Sequence, residues 1–395
     1  MTVREGIEGA GALRSLRRRW AAAVLAIVAG LGLGYWVWSA TGGREQAVAW
    51  LAWAGAASGY VLWIFWRALP EHRRRPDGRL LEHLGSANAA TVARGAVAAL
   101  LFGLVGTTLP SADLGWTPSL LCLVIAVLDH VDGRLARANG ESTGLGEKLD
   151  LEYDAFGNLA AYALAVHLGR LPAVLLVLGL LRYLFAFGLW LLRRSGRSPR
   201  PLTPSTGRKV IASLQWGLLV GVLWPIVSPP ATTIAAGLMA AALIASFGRD
   251  WLVVSDGLDP DSKAYRRTMA TARRVFLGVI PMVIRLALAA VLGGAIVSLA
   301  ASLRAGDVRL GDTGPSLIVL MVAAGVAIPA LVLGAAARAA AVVLLVADVL
   351  TIHAIGFDLL QGAILSGCVL LILLGSGAGS LWTPEVLLFR RGGET

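Results

Sequence analysis

Residues 20–40 read WAAAVLAIVAGLGLGYWVWSA, a run of apolar and small residues without a charged side chain. An α-helix needs about 20 predominantly apolar residues to cross the hydrocarbon core of a bilayer. The run is continuous instead of alternating, and a helix satisfies its backbone hydrogen bonds within the segment, so a membrane helix is favoured over a barrel strand. This stretch therefore predicts an all-α membrane protein.

Similar apolar runs recur along the 395 residues, of which 57% are hydrophobic and only 15% charged. Soluble domains do not have this composition. The runs predict a polytopic protein of about twelve transmembrane helices. We expect a helix pair in residues 1–79, a six-helix core in 80–254, a cytoplasmic linker in 255–273 and a four-helix membrane domain in 274–395. Within the core, the mixed residues 80–94 predict an interfacial amphipathic helix.

Lysine and arginine residues lie between the apolar runs and set the expected orientation. They fall on alternate loops, which the positive-inside rule places in the cytoplasm together with both termini. The net charge of +11 is then explained by topology and anionic headgroups, and a nucleic-acid partner is not expected. We expect an integral protein of a bacterial cytoplasmic membrane.

Residues 129–158 read DHVDGRLARANGESTGLGEKLDLEYDAFGN and place four carboxylates where apolar helices meet a loop. Asp129 and Asp132 are three positions apart and Asp150 and Asp154 four apart, so each pair shares a helix face. Carboxylates at membrane depth are costly unless they are paired or metal-bound, and hard divalent cations prefer oxygen ligands. The pattern predicts a Mg²⁺ or Mn²⁺ site. The alternative is that the aspartates only start and end helices at a solvated interface.

Small and basic residues accompany the carboxylates at fixed offsets. The order is Asp, two residues, Asp-Gly, two residues, Ala-Arg, eight residues, Gly, three residues, Asp, three residues, Asp, from Asp129 to Asp154. This signature resembles that of the CDP-alcohol phosphotransferases, also called CDP-alcohol phosphatidyltransferases. The resemblance covers about residues 80–254. It implies a six-helix catalytic unit that is commonly a homodimer and whose active site faces the cytoplasm.

The resemblance implies metal ligation by Asp129, Asp132, Asp150 and Asp154, with two ions and with Asp154 also serving as the general base. The residues alone do not distinguish Asp154 from Asp150 as the base. A base needs reach toward the acceptor alcohol more than full metal ligation, which suits the last aspartate of the series.

The resemblance also implies contacts to the nucleotide and its diphosphate. The residues concerned are Asn88, Thr91, Gly133, Ala136, Arg137 and Gly146. Asn88 and Thr91 form a pattern with Arg94, although Ala87 stands where the family usually has a proline. Packing between helices through small residues is an equally good explanation of the glycines and the alanine. The alternative for Arg137 is an ordinary positive-inside arginine at a helix end, but phosphate contact is favoured because its guanidinium can fork onto a phosphate.

Basic residues at the cytoplasmic ends of the fourth to sixth core helices would bind an acceptor phosphate, as the resemblance implies. The candidates are Arg194, Arg208, Lys209 and Arg249. Arg208 and Arg249 are preferred, because one follows Thr206-Gly207 at a predicted helix start and the other lies in Phe-Gly-Arg-Asp-Trp at a predicted helix end. The alternative is that these residues only fix the topology.

The resemblance implies transfer of a phosphatidyl group from CDP-diacylglycerol to a polar alcohol, free or phosphorylated, with release of CMP in phospholipid biosynthesis. A second possibility is transfer of a headgroup from a soluble CDP-alcohol to a lipid alcohol. A transporter would also fit about twelve helices with intramembrane charges, but no inverted repeat is visible. The final four helices resemble DoxX-like membrane domains and carry no catalytic cluster, so a scaffold, a dimer surface or a lipid-contacting accessory remain open.

Overall fold

The computed structural model describes residues 3–73, 78, 80–109, 113–139, 143–202, 206–305 and 314–383. Within these ranges the chain forms helices and no strand, apart from two isolated bridges between single residues. The predicted all-α class is confirmed.

The helices are α1 (Val3–Thr41), α2 (Gly43–Ala68), α3 (Ser86–Gly103), α4 (Thr117–Asn139), α5 (Gly144–His167), α6 (Leu176–Arg194), α7 (Thr206–Val222), α8 (Pro229–Val254), α9 (Lys263–Arg274), α10 (Ile280–Ala305), α11 (Gly314–Leu333), α12 (Ala337–Ile355) and α13 (Leu359–Leu374). A π-helical turn, Val275–Val279, joins α9 to α10. The order matches the prediction of a leading pair, then six helices, then four, with α9 lying in the predicted linker.

Seven of the described helices are long and apolar enough to cross a membrane, and two shorter apolar helices accompany them. The long ones lie in Gly11–Thr41, Gly43–Glu71, Ser86–Gly106, Ala173–Arg194, Pro229–Val254, Lys263–Ser302 and Ala337–Ile355. Helices α4 and α5 are not among the seven, since they carry the clustered aspartates. The protein is therefore a polytopic all-α membrane protein.

The described residues form two compact units, Met1–Phe187 with Gln215–Pro225, and Gly188–Leu214 with Ile226–Thr395. These units do not follow the predicted boundaries at residues 79, 254 and 273, which stay predictions.

In the first unit, α3 is the central helix and contacts α2, α4 and α5. Gly95 allows α3 to approach α5, because an added Cβ would lie 2.7 Å from the ring of Tyr153. The Tyr153 hydroxyl in turn donates to the Val61 carbonyl at 2.7 Å and ties α5 to α2. This packing brings one face of α3 against the ends of α4 and α5.

In the second unit, α10, α11, α12 and α13 form a closed ring in which each helix contacts the next and α10 contacts α13. Its core consists of aliphatic side chains such as Leu292, Leu331, Leu344 and Leu371, all nearly or fully buried. Helix α8 also packs against α13. The predicted four-helix tail is thus a bundle with its own hydrophobic core.

The separate amphipathic helix expected over residues 80–94 is absent. Residues 81–85 are not helical, and α3 begins at Ser86 after Gly85, whose φ is +77°. Asn88, Thr91 and Arg94 are buried on α3. These three side chains contact backbone and acidic groups inside the protein, so they do not form the polar face of an interfacial helix. The linker also differs from a wholly turn-rich segment, since α9 occupies its second half.

Candidate active site

Three of the four predicted aspartates lie together in the first unit. Asp129 and Asp132 are on the C-terminal half of α4, and Asp150 is on the second turn of α5. One oxygen of each carboxylate lies within 4.8 Å of an oxygen of the other two. Asp132 is buried, Asp129 is partly exposed and Asp150 is exposed, so the cluster opens on one side.

Arg94 of α3 lies against all three carboxylates and is itself fully buried. Its guanidinium pairs with Asp129, donates to Asp150 Oδ1 at 2.6 Å and lies 3.8 Å from Asp132 Oδ2. The Thr91 hydroxyl donates to Asp132 Oδ2 at 2.9 Å. One buried cation therefore offsets the repulsion between three converging acids. The spacing of Thr91 and Arg94 was noted in the sequence, but not their contact with the aspartates.

Asp154 lies one turn beyond Asp150 on α5 and outside the group of three. Its Oδ1 accepts hydrogen bonds from Trp216 Nε1 at 3.1 Å and from Asn158 Nδ2 at 3.4 Å. Among the described residues, its Oδ2 accepts none. Gly157 admits the indole ring, because an added Cβ would lie 3.1 Å from Trp216 Cη2. One oxygen of Asp154 is thus held in place while the other is available.

Trp216 was missed in the sequence because it is on α7, 62 positions from Asp154, and a lone tryptophan has no signature spacing. Asn158 carried a signal, since a residue four positions after Asp154 lies on the same helix face.

The donor chemistry of the cluster fits a hard divalent cation. The three grouped ligands are all carboxylates, which Mg²⁺ and Mn²⁺ prefer over nitrogen or sulfur. A cation held by Asp129, Asp132 and Asp150 would take over charge compensation that Arg94 supplies in this structure. Ligation by Asp154 stays a prediction.

The expected nucleotide contacts are placed as follows. Asn88 Nδ2 donates to the Leu84 carbonyl at 2.7 Å, and a Cβ at Gly146 would lie 2.5 Å from Asn88 Oδ1. Gly146 therefore allows α3 and α5 to pack closely, which favours the packing explanation at this position. Gly133 is partly exposed on α4.

Two further expected contacts, Ala136 and Arg137, lie on α4, but their side chains are outside the described part of the structure. Their nucleotide-binding roles stay predictions.

In the second unit, the preferred acceptor residues Arg208 and Arg249 meet at a carboxylate that was not predicted. Asp250 Oδ2 lies 3.2 Å from Arg208 Nη1, and Asp250 Oδ1 accepts from Arg249 Nη2 at 2.5 Å and from Nε at 3.1 Å. Asp250 is buried. A single acid therefore orients one arginine from α7 and one from α8.

The other two acceptor candidates are not shown at this carboxylate. Arg194 lies over the ring of Trp190, 5.4 Å from its centroid. The side chain of Lys209 is outside the described residues. The acceptor roles of both stay predictions.

The helices and the carboxylates define a class, a polytopic all-α membrane protein with an acidic candidate metal site. Residues 84–248 match the model of the CDP-alcohol phosphatidyltransferase family. The chain therefore contains a domain of that family, as its motif predicted. Searches of curated proteins and of solved structures find no match to the chain. The matched domain includes the four aspartates, Arg94 and Trp216, and it ends just before Arg249 and Asp250.

Proposed function

We propose that this protein transfers a phosphatidyl group from CDP-diacylglycerol to a polar alcohol and releases CMP. The observation that carries this proposal is the convergence of Asp129, Asp132 and Asp150 inside a CDP-alcohol phosphatidyltransferase domain. A CDP-linked donor presents a diphosphate, whose negative charge must be neutralised before an alcohol oxygen can attack.

The three aspartates would hold Mg²⁺ or Mn²⁺, with Asp154 nearby for a second ion. When bound, the metal neutralises the diphosphate and stabilises the departing CMP. The acceptor oxygen forms a bond to the phosphorus that carries the diacylglycerol group. The bond from that phosphorus to the oxygen of CMP breaks, and its electron pair leaves with CMP. The hydroxyl proton passes to Asp154.

Asp154 suits the role of general base because its two oxygens differ. Trp216 and Asn158 hold Oδ1, which orients the carboxylate. Its Oδ2 accepts no hydrogen bond from the described residues and can accept a proton from a bound alcohol. A base must lie within hydrogen-bond reach of the proton it takes, so this orientation supports Asp154 over Asp150. Asp150 instead pairs with Arg94.

A phosphorylated alcohol is the acceptor that we favour. Arg208 and Arg249 are oriented by Asp250, and arginine N–H groups bind phosphate through charge-assisted hydrogen bonds. The positive-inside rule explains basic residues in cytoplasmic loops, but it does not explain a buried carboxylate that orients two arginines. We further propose a homodimer in a bacterial cytoplasmic membrane, with both termini and the active site on the cytoplasmic side, on the basis of the basic loops and the resemblance.

The test is CMP release by the purified protein in detergent. CDP-diacylglycerol is supplied with Mg²⁺ or Mn²⁺ and with glycerol phosphate, inositol phosphate or serine in turn. We expect CMP with one acceptor, loss of release in Asp154→Asn, and retention in Asp256→Asn, a matched change at an exposed acid that pairs with Arg200. If CMP forms only from a soluble CDP-alcohol and diacylglycerol, the soluble CDP-alcohol is the donor and the lipid alcohol is the acceptor. If folded protein that binds metal releases no CMP with any combination of substrates, the proposed enzymatic activity is refuted.

A further inference from the structure

Helix α9 is strongly basic on one face. Its twelve residues carry five cationic side chains and no acidic one. At about 100° per residue, the five fall within roughly a third of the helix circumference. Those residues are Lys263, Arg266, Arg267, Arg273 and Arg274. The remaining arc carries uncharged side chains, including Tyr265 and Met269, so α9 is an amphipathic helix with one cationic face.

A shallow, open groove follows the border between the two faces into the π-helical turn, and all of its lining residues belong to this one helical run. Arg266, Arg273 and Arg274 line its cationic side, and Met269 and Leu277 contribute apolar surface. These side chains are exposed. Among the residues that the structure describes, none forms an ion pair with any of the three arginines. The groove therefore offers cationic and apolar surface side by side.

The position of α9 relative to the bilayer follows from helix length. The helical run Lys263–Ser302 has 40 residues, which at 1.5 Å per residue is about 60 Å, roughly twice the hydrocarbon thickness. The charged α9 end must lie outside the hydrocarbon core. The apolar side chains of Phe276, Leu277 and Val279, which are exposed, follow directly. Arg273 and Arg274 thus lie where the helix passes the headgroups.

We propose that this groove binds an anionic phospholipid. The lipid phosphate would receive hydrogen bonds from Arg266, Arg273 and Arg274, which present planar donor groups suited to phosphate. The glycerol and the first acyl carbons would pack on Met269 and Leu277. Basic amphipathic segments beside membrane helices are attracted to anionic lipids, and the apolar surface favours an amphiphile over a soluble anion. This binding does not require the catalytic activity.

The test is lipid binding to delipidated full-length protein in detergent, followed by native mass spectrometry with phosphatidylglycerol and phosphatidylcholine. The variant is the triple change Arg266→Gln, Arg273→Gln and Arg274→Gln. The matched control is the double change Lys263→Gln and Arg267→Gln, on the same helix but outside the groove lining. We expect a loss of about 100-fold in phosphatidylglycerol affinity in the triple variant, and a clearly smaller loss in the control, whose two side chains do not line the groove.

Two results would overturn the proposal. Equal affinity of the wild-type protein for the two lipids would show that charge does not select the occupant. A triple variant that keeps its phosphatidylglycerol affinity but changes oligomeric state would show that the groove contacts another copy of the chain. Unchanged thermal unfolding of both variants verifies that the fold is intact.

Discussion

The indole N–H of Trp216 donates to Asp154 Oδ1 at 3.1 Å, so a residue of α7 orients the carboxylate that α5 presents. On α5, Asp154 lies one helical turn after Asp150, which is one of the metal-binding candidates. Trp216 thus holds one oxygen of the carboxylate proposed as the base, which lies outside the group of three carboxylates around Arg94.

Replacing Trp216 by phenylalanine removes this hydrogen bond and keeps an aromatic ring against Gly157. A hydrogen bond to a charged group contributes about 1.5–3 kcal/mol, so we expect kcat for CMP release to fall about 10- to 100-fold with little change in the donor KM. Trp224→Phe is the control, because Trp224 packs against Trp116. Equal rates in the two variants would remove Trp216 from the mechanism.

Thr91→Val should weaken metal binding. The Thr91 hydroxyl donates to Asp132, and the loss of a group that orients a metal ligand typically lowers affinity about 10- to 100-fold. The Mn²⁺ concentration for half-maximal activity and calorimetric Mn²⁺ binding would both measure this. Thr107→Val provides the comparison, since the buried Thr107 hydroxyl donates only to a backbone carbonyl. An unaltered Mn²⁺ affinity in Thr91→Val would argue against ligation by Asp132.

Asp250→Asn should weaken binding of the acceptor alcohol and leave binding of the CDP-linked donor unchanged. Without its charge, the contacts that orient Arg208 and Arg249 weaken, and we expect the acceptor KM to rise at least about tenfold. The KM for the CDP-linked donor should stay within about twofold. Asp259→Asn, at an exposed acid that pairs with Arg200, serves as control. A change confined to the donor KM would place these arginines elsewhere in the reaction.

Gly146→Ala tests the packing of α3 on α5. The new Cβ would lie 2.5 Å from Asn88 Oδ1, and overpacking of this kind costs about 1–3 kcal/mol. We expect a lower unfolding temperature without any nucleotide present. Gly217→Ala, at a helical glycine with open space around it, should be neutral or slightly stabilising. If Gly146→Ala keeps the wild-type unfolding temperature but loses nucleotide affinity, Gly146 instead allows the nucleotide to approach the helix backbone.

Asp348 in α12 is fully buried, and its two carboxylate oxygens have no hydrogen-bond partner among the described residues. Burial of such a group without compensation is unfavourable. Asp348→Val should therefore stabilise the protein by about 1–3 kcal/mol, measured by unfolding in detergent. Asp261→Asn, at an exposed acid, should change stability by less than about 0.5 kcal/mol. A destabilised Asp348→Val protein would reveal a partner of Asp348 that compensates its burial.

The sequence by itself determined the all-α membrane class, the order of two, six and four helices, and the aspartate motif from Asp129 to Asp154 within a recognisable family domain. These features are local. The length of an apolar run decides whether a helix can cross the bilayer, and spacings of three and four residues decide which side chains share a helix face. The sequence also singled out Gly146, but it did not decide whether this glycine serves helix packing or nucleotide contact.

Only the tertiary structure decided which groups meet those residues. Arg94 contacts aspartates 35 and 56 positions away, Trp216 contacts Asp154 from another helix, and Asp250 joins Arg208 to Arg249. It also showed that Asn88, Thr91 and Arg94 are buried on α3, where Thr91 and Arg94 contact the aspartates. Such contacts depend on how separate helices pack and rotate, and the periodicity within one helix does not contain that information.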